Sequence, residues 1–300
     1  DHPSYDKYGS KLSIRQKLGK VSISVCSMGG WFDNYCESDL DAFRTLSKRA
    51  RPTEIWIGPW AHNFATKFPT RNFGMNADVS VRKLQLAWFD EYLKGSEPRP
   101  EHHHVLHLFV MGPDVWREEH EWPLARTRYT PFYLSSRGRA NSLHGDGELH
   151  VEDVQHESLD TFTYDPRNPV PTMGGAICCT PKILLPGPLN QAAVEARADV
   201  LVYTTGPLHD DVEVTGPVSA TLYVQTSAND TDFTAKLVDV FPDGRALLVT
   251  DGLQRLRYRI SLSKPVFVKR NMPYQIRVDL GVTSYVFAPH HRIRLEISSR

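Results

Sequence analysis

A carboxylate and an imidazole in this chain each stand just past an apolar, strand-like run. Asp33 closes Gly29-Gly30-Trp31-Phe32-Asp33, and His62 closes Gly58-Pro59-Trp60-Ala61-His62. In open α/β sheets, sites form outside the carboxyl ends of the strands. There a carboxylate can accept from an imidazole, fix its tautomer and stabilise the imidazolium. The other ring nitrogen can then take a proton from a serine hydroxyl. The order Asp then His fits the Ser, Asp, His chain order of α/β-hydrolases. Residue types and spacing also allow a blander reading. Asp33 could cap the next helix or close a turn, and His62 could be a loop histidine with its ring satisfied.

The flanking segments predict how the two residues are positioned. Val21 to Met28 is apolar and β-rich and ends at Gly29-Gly30, which reads as a buried strand. Glu54 to Gly58 reads as a second short strand. Between them, Leu40, Phe43 and Leu46 have helical spacing. Ser38 is the expected N-cap, and Asp39 and Asp41 fall in the first turn. Ser80 to Lys94 places Val81, Leu84, Trp88 and Leu93 near one helical face, with Gly95 as the stop and Pro98 beyond. Residues 1–14 read as the end of a helical segment. Strand, helix, strand, helix predicts a parallel sheet flanked by helices.

The character changes at Pro98-Arg99-Pro100-Glu101. Beyond it come short β-rich runs at 105–111, 130–134, 199–205, 219–227, 232–241, 253–261, 274–280 and 292–298, parted by turn signals such as Asp243-Gly244. Several alternate apolar and polar residues, as strands with one wet face do. The expected fold class is therefore α/β followed by all-β. Residues 1–100 are expected to form a parallel, helix-flanked sheet, and residues 101–300 a β-sandwich of jelly-roll type.

Composition narrows the function classes. Of 300 residues, 40% are hydrophobic and 23% charged, and Lys+Arg and Asp+Glu both count 35. No basic stripe argues for nucleic acid or an anionic membrane surface. No stretch approaches the roughly 18–20 apolar residues of a membrane helix. The four cysteines, Cys26, Cys36, Cys178 and Cys179, contain no C-x-x-C pair and read as reduced thiols. His102-His103-His104 with His107 reads as a solvated loop and strand start rather than a metal site. Asp230, Asp232, Asp239 and Asp243 lack the spacing of a calcium loop and read as turn and strand-end residues.

GGWFDNY (29–35) and IGPWAH (57–62) resemble the acid and base segments of the CocE/NonD serine hydrolases. The resemblance continues through DHPSYDKY (1–8), LFVMGPDVWREEHEWP (108–123), YDPRNPVPTMGG (164–175), DVLVYTTGPL (199–208), DVEVTGPV (211–218), DTDFTAKLVDVFPDG (230–244) and HRIRLEIS (291–298). It implies an α/β-hydrolase domain with a helical cap, of which residues 1–14 are the end. After that comes an X-Pro dipeptidyl-peptidase C-terminal-like jelly roll of the galactose-binding-like kind. It makes Asp33 the triad acid and His62 the triad base. The reaction it implies is ester or amide hydrolysis through an acyl-serine, with no cofactor or metal expected.

The implied partners are small-molecule esters or amides or a peptide, with esterase or acylase preferred over X-Pro dipeptidyl-peptidase. Homo-oligomers also occur among such hydrolases. The family nucleophile lies on a G-x-S-x-G elbow upstream of the cap, and no such motif occurs here. Neither Ser27 nor Ser38 lies on such an elbow. The chain is therefore expected to be the C-terminal portion of the enzyme, inactive alone. Trp31 and Trp60 are candidates either for walls of the acyl pocket or for core packing. His290 stands where the family often has glycine. The alternative is a non-catalytic β-sandwich module joined to a remnant of a hydrolase.

Overall fold

A computed structural model describes the chain except residues 1, 50, 95–103, 155–157 and 180–182. Helix α1 (Lys7–Leu12) is capped by Asp6, whose carboxylate accepts from the amides of Tyr8 and Gly9. Then come β1 (Val25–Phe32), α2 (Cys36–Leu46), β2 (Thr53–Ala61), α3 (Val81–Leu93), β3 (His104–Val110) and β4 (Val115–Glu119). The sheet order is β1-β2-β3-β4. The first three strands are parallel and β4 returns antiparallel.

Two expectations need correction here. The apolar run at 105–111, assigned from sequence to the β-sandwich, is instead the third parallel strand of the first sheet. Leu106 and Leu108 are completely buried. A strand covered on both faces is apolar throughout, so its periodicity does not say which sheet it joins. Helix α2 starts at Cys36, not after Ser38, and its N-cap position is Tyr35, which makes no side-chain cap. Leu40, Phe43 and Leu46 are buried as their spacing predicts. In α3, the Ser80 hydroxyl accepts from the Lys83 amide, as a cap should.

The β-rich part contains β5 (Tyr133–Ser135), β6 (Glu148–His150), a helical turn α4 (Ala192–Glu195), β7 (Val200–Thr204), β8 (Val212–Val224), β9 (Asp232–Val240), β10 (Ala246–Arg255), β11 (Tyr274–Phe287) and β12 (Arg292–Ser298). Six strands form one sheet in the order β10-β9-β12-β7-β6-β5, and β11 pairs with β8 in a second. Of the run 253–261 only the start is strand. Leu256–Tyr258 turns into a 3-10 helix that drives Leu256 into the core. His290 takes a φ of 68° between β11 and β12. That is the left-handed region, which glycine adopts without strain.

The two parts share one hydrophobic cluster, running from Phe32, Leu40 and Leu106 to Phe233, Ile276 and Phe287. They are also stitched by backbone bonds. The Met111 amide donates to Ser284 at 3.0 Å, and the Val286 amide donates to Met111 at 2.8 Å.

His102 and His103 lie outside the described residues. His107 stacks on Trp56 with ring centroids 3.7 Å apart. The four aspartates hold protein partners: Asp232 with Arg255, Asp230 with Arg257, Asp243 with Arg245, and Asp239 with Tyr285 and His291. Asp239 is buried, one residue from the end of β9. Among the described residues no helix is long and apolar enough to cross a membrane.

Candidate active site

Strands β1 and β2 run in register from Val25 opposite Thr53 to Gly30 opposite Gly58, then shift so that Phe32 faces Ala61. The shift adds one residue to β2, a bulge. Gly30 makes room for it, because a Cβ there would come within 2.2 Å of the Trp60 carbonyl oxygen. Parallel neighbours lie roughly 4.8 Å apart. The residues that follow Phe32 and Ala61 are Asp33 and His62, so the register alone brings them side by side.

His62 Nδ1 lies 3.1 Å from Asp33 Oδ2 and 3.3 Å from Oδ1. With the Nδ1 proton donated to the carboxylate, Nε2 is left as the basic nitrogen. The carboxylate is itself oriented, accepting the Tyr35 amide at 3.1 Å. Its backbone is fixed too. The Asp33 amide donates to Gly30 at 2.9 Å, and the Cys36 amide donates to Asp33 at 3.1 Å as α2 begins. The Asp33 side chain is 13% exposed and that of His62 47%. A shielded acid therefore holds an accessible base. The Tyr35 ring flanks His62 with centroids 5.6 Å apart.

Two groups near the dyad feel the charge of Asp33. Asp39, in the first turn of α2, packs under Gly29, where a Cβ would meet its Oδ2 at 2.6 Å. Burial first, and then the charge of Asp33, push the Asp39 carboxyl up to about 6. The Cys36 thiol is held well above its ordinary value by burial and by the charges of Asp39, Asp33 and Glu37. A thiol kept protonated is a poor nucleophile, so Cys36 does not compete for that role.

The tryptophans are not presented to the dyad. Trp31 is 4% exposed and donates from Nε1 to the Phe109 carbonyl at 2.7 Å. Trp60 is 1% exposed and donates to the Ala77 carbonyl at 2.8 Å. Both indoles are thus buried and tied to distant carbonyls. Sequence reasoning passed over Tyr35, the aromatic beside His62, although it closes the GGWFDNY segment. It also passed over Asp39, whose only signal was its place in a helix first turn.

Comparison with known proteins shows the family. Residues 95–300 match the model of the X-Pro dipeptidyl-peptidase C-terminal non-catalytic domain, and residues 1–63 match that of the X-Pro dipeptidyl-peptidase (S15 family). The chain belongs to the CocE/NonD and X-Pro dipeptidyl-peptidase family of serine hydrolases. It is 41% identical over 303 residues to cocaine esterase of Rhodococcus sp. (strain MB1 Bresler), covering 100% of this chain and 52% of that protein. Among solved structures, an aminopeptidase from a marine sediment Thaumarchaeota archaeon superposes with a TM-score of 0.80 at 23% identity, over 99% of this chain and 51% of that one. An α-amino acid ester hydrolase does so with a TM-score of 0.80 at 21% identity, over 99% and 52%. These two likenesses concern the fold, a hydrolase followed by a C-terminal β domain. The family member described here spans about half the length of the relatives it matches.

Proposed function

We propose that the protein hydrolyses esters or amides through an acyl-serine, with Asp33 and His62 as the acid and base of its triad. The observation that carries this reading is the 3.1 Å contact between His62 Nδ1 and the Asp33 carboxylate at the carboxyl ends of adjacent parallel strands. His62 Nε2 takes the proton of the attacking serine and later gives it to the leaving group, while Asp33 keeps the ring in the required tautomer. The serine belongs to a part of the enzyme beyond these 300 residues, since no G-x-S-x-G elbow occurs among them. On this reading the 300 residues by themselves are inactive.

The same proposal divides the chain near residue 100 into a hydrolase part and a jelly-roll part, with β3 and β4 carrying the hydrolase sheet across that point. Small-molecule esters are the favoured substrates over X-Pro peptides, supported by the 41% identity to a protein named cocaine esterase. Assembly into homo-oligomers belongs to the same expectation.

The test is labelling of the full-length protein with a fluorophosphonate serine probe. Labelling that is lost in His62→Ala, together with faster turnover of aryl esters than of X-Pro amides, is the expected result. Equal labelling of wild type and His62→Ala would sink the triad assignment. Absence of labelling in the wild type would favour a non-catalytic module.

A further inference from the structure

Two cysteines that the proposed hydrolysis does not use stand side by side at Cys178 and Cys179. The stretch bearing them is tied off by glycines. The Gly175 amide donates to Gly187 at 2.9 Å, and the Gly187 amide donates to Gly175 at 3.0 Å. Their φ values of 90° and 101° are ones glycine adopts without strain. This base rests against the segment that follows His62. The Thr70 hydroxyl donates to the Pro188 carbonyl at 2.6 Å. Gly187 lies so near the Phe68 ring that a Cβ would come within 2.2 Å of it. Phe68 meets Phe32 edge-on with centroids 5.4 Å apart, and Phe32 is the residue before Asp33. The Cys178 thiol is raised above its ordinary value by the hydrogen bond from Cys179, by desolvation and by the charges of Cys179 and Asp33, so Cys179 is the thiol that reacts first.

The pair itself is poised for chemistry. The Cys179 thiol lies 2.7 Å from the Cys178 sulfur. Cys179 is exposed and has a φ of 68°, a left-handed conformation that side-chain-bearing residues seldom adopt. Together these leave a vicinal dithiol, its Cys179 thiol exposed, on a stretch whose base packs against the segment after His62.

We propose that Cys178 and Cys179 are a reversible redox modification site, closing to a vicinal disulfide by exchange with a low-molecular-weight disulfide. The accessible Cys179 thiolate attacks one sulfur of the small disulfide. That S–S bond breaks, and the leaving sulfur departs with the electron pair and takes up a proton. Cys178, deprotonated in its turn, attacks the Cys179 sulfur of the mixed disulfide and expels the second small thiol. The two protein thiols lose two hydrogens, and the small disulfide is reduced to two thiols. Adjacent Cα atoms are about 3.8 Å apart across a trans peptide. Unstrained disulfides span about 4.4–6.8 Å, so this one would be strained and readily reduced again. The inference stands on the dithiol's own geometry and does not need the hydrolytic reading.

The test exposes the protein to glutathione disulfide, blocks remaining thiols with iodoacetamide, and reads the tryptic peptide 168–182 by mass spectrometry. That peptide should lose two hydrogens and resist alkylation, and it should recover both thiols with dithiothreitol. Cys178→Ser should trap one glutathione on Cys179. Two stable glutathione adducts in the wild type, or two alkylated thiols, would overturn the site. The ring resonances of His62, assigned with His62→Gln, should shift on oxidation and return on reduction. Unmoved resonances would overturn its coupling to the dyad.

Discussion

Trp60 donates from its indole Nε1 to the Ala77 carbonyl at 2.8 Å, tying the segment after His62 back against β2. Trp60→Phe removes that donor, leaves the carbonyl to the Val79 amide alone and opens a void among Phe64, Trp116 and the sheet. Lost packing plus one lost hydrogen bond should cost about 1–3 kcal/mol. A lowered urea midpoint with an unchanged m-value is the expected reading. An unchanged midpoint would mean that the tie contributes nothing.

Asp33→Asn should separate chemistry from stability. The amide cannot hold His62 in the Nδ1–H tautomer, so kcat of the full-length enzyme should fall by about 10³- to 10⁴-fold, with KM little changed. The pair is partly solvated, and loss of its attraction should change unfolding free energy by under about 1 kcal/mol. A stability loss of several kcal/mol with modest loss of kcat would identify Asp33 as a structural cap instead.

Asp39 gives the fold a pH signature. Its carboxyl is raised from 3.8 to about 6, so the folded state holds the proton more tightly than the unfolded chain. The stability from this protonated group is fully present below the unfolded value and is lost as pH rises to about 6. Asp39→Asn should therefore be nearly neutral at pH 4 and stabilising at pH 7, a contrast that denaturant titrations at the two pH values would read. An equal effect at both would show that Asp39 ionises normally.

In the β-rich part, Lys236 Nζ lies 3.2 Å from Glu296 Oε2 and 2.8 Å from the Gln191 side-chain oxygen. Both members of the ion pair are buried. Burial raises the Glu296 carboxyl despite the opposing charge of Lys236. Lys236→Met leaves that carboxyl unpaired and should cost about 3–5 kcal/mol. Adding Glu296→Leu should recover most of the loss, since an apolar pair of similar volume replaces the ions. Thermal unfolding of the single and double variants would check it, and a double variant no better than the single would refute it.

Much of this was legible in the residues themselves. Apolar runs ending at Phe32 and Ala61, with Leu40, Phe43 and Leu46 between them, determined strand, helix and strand. They also put Asp33 and His62 at two strand ends, because side-chain periodicity is a local property. Tertiary structure decided which strands pair. The run at 105–111 carries no mark of its partner, and only its alignment with β2 placed it in the first sheet. The same holds for the aromatics: Trp31 and Trp60 turn to distant carbonyls at Phe109 and Ala77, leaving Tyr35 beside His62. Nor does anything local link Cys178 to Asp33, since that proximity exists only once the β-rich part folds back along the segment after β2. Strand pairing, burial and a charge's neighbours are set by contacts between residues far apart in the chain, which no local pattern encodes.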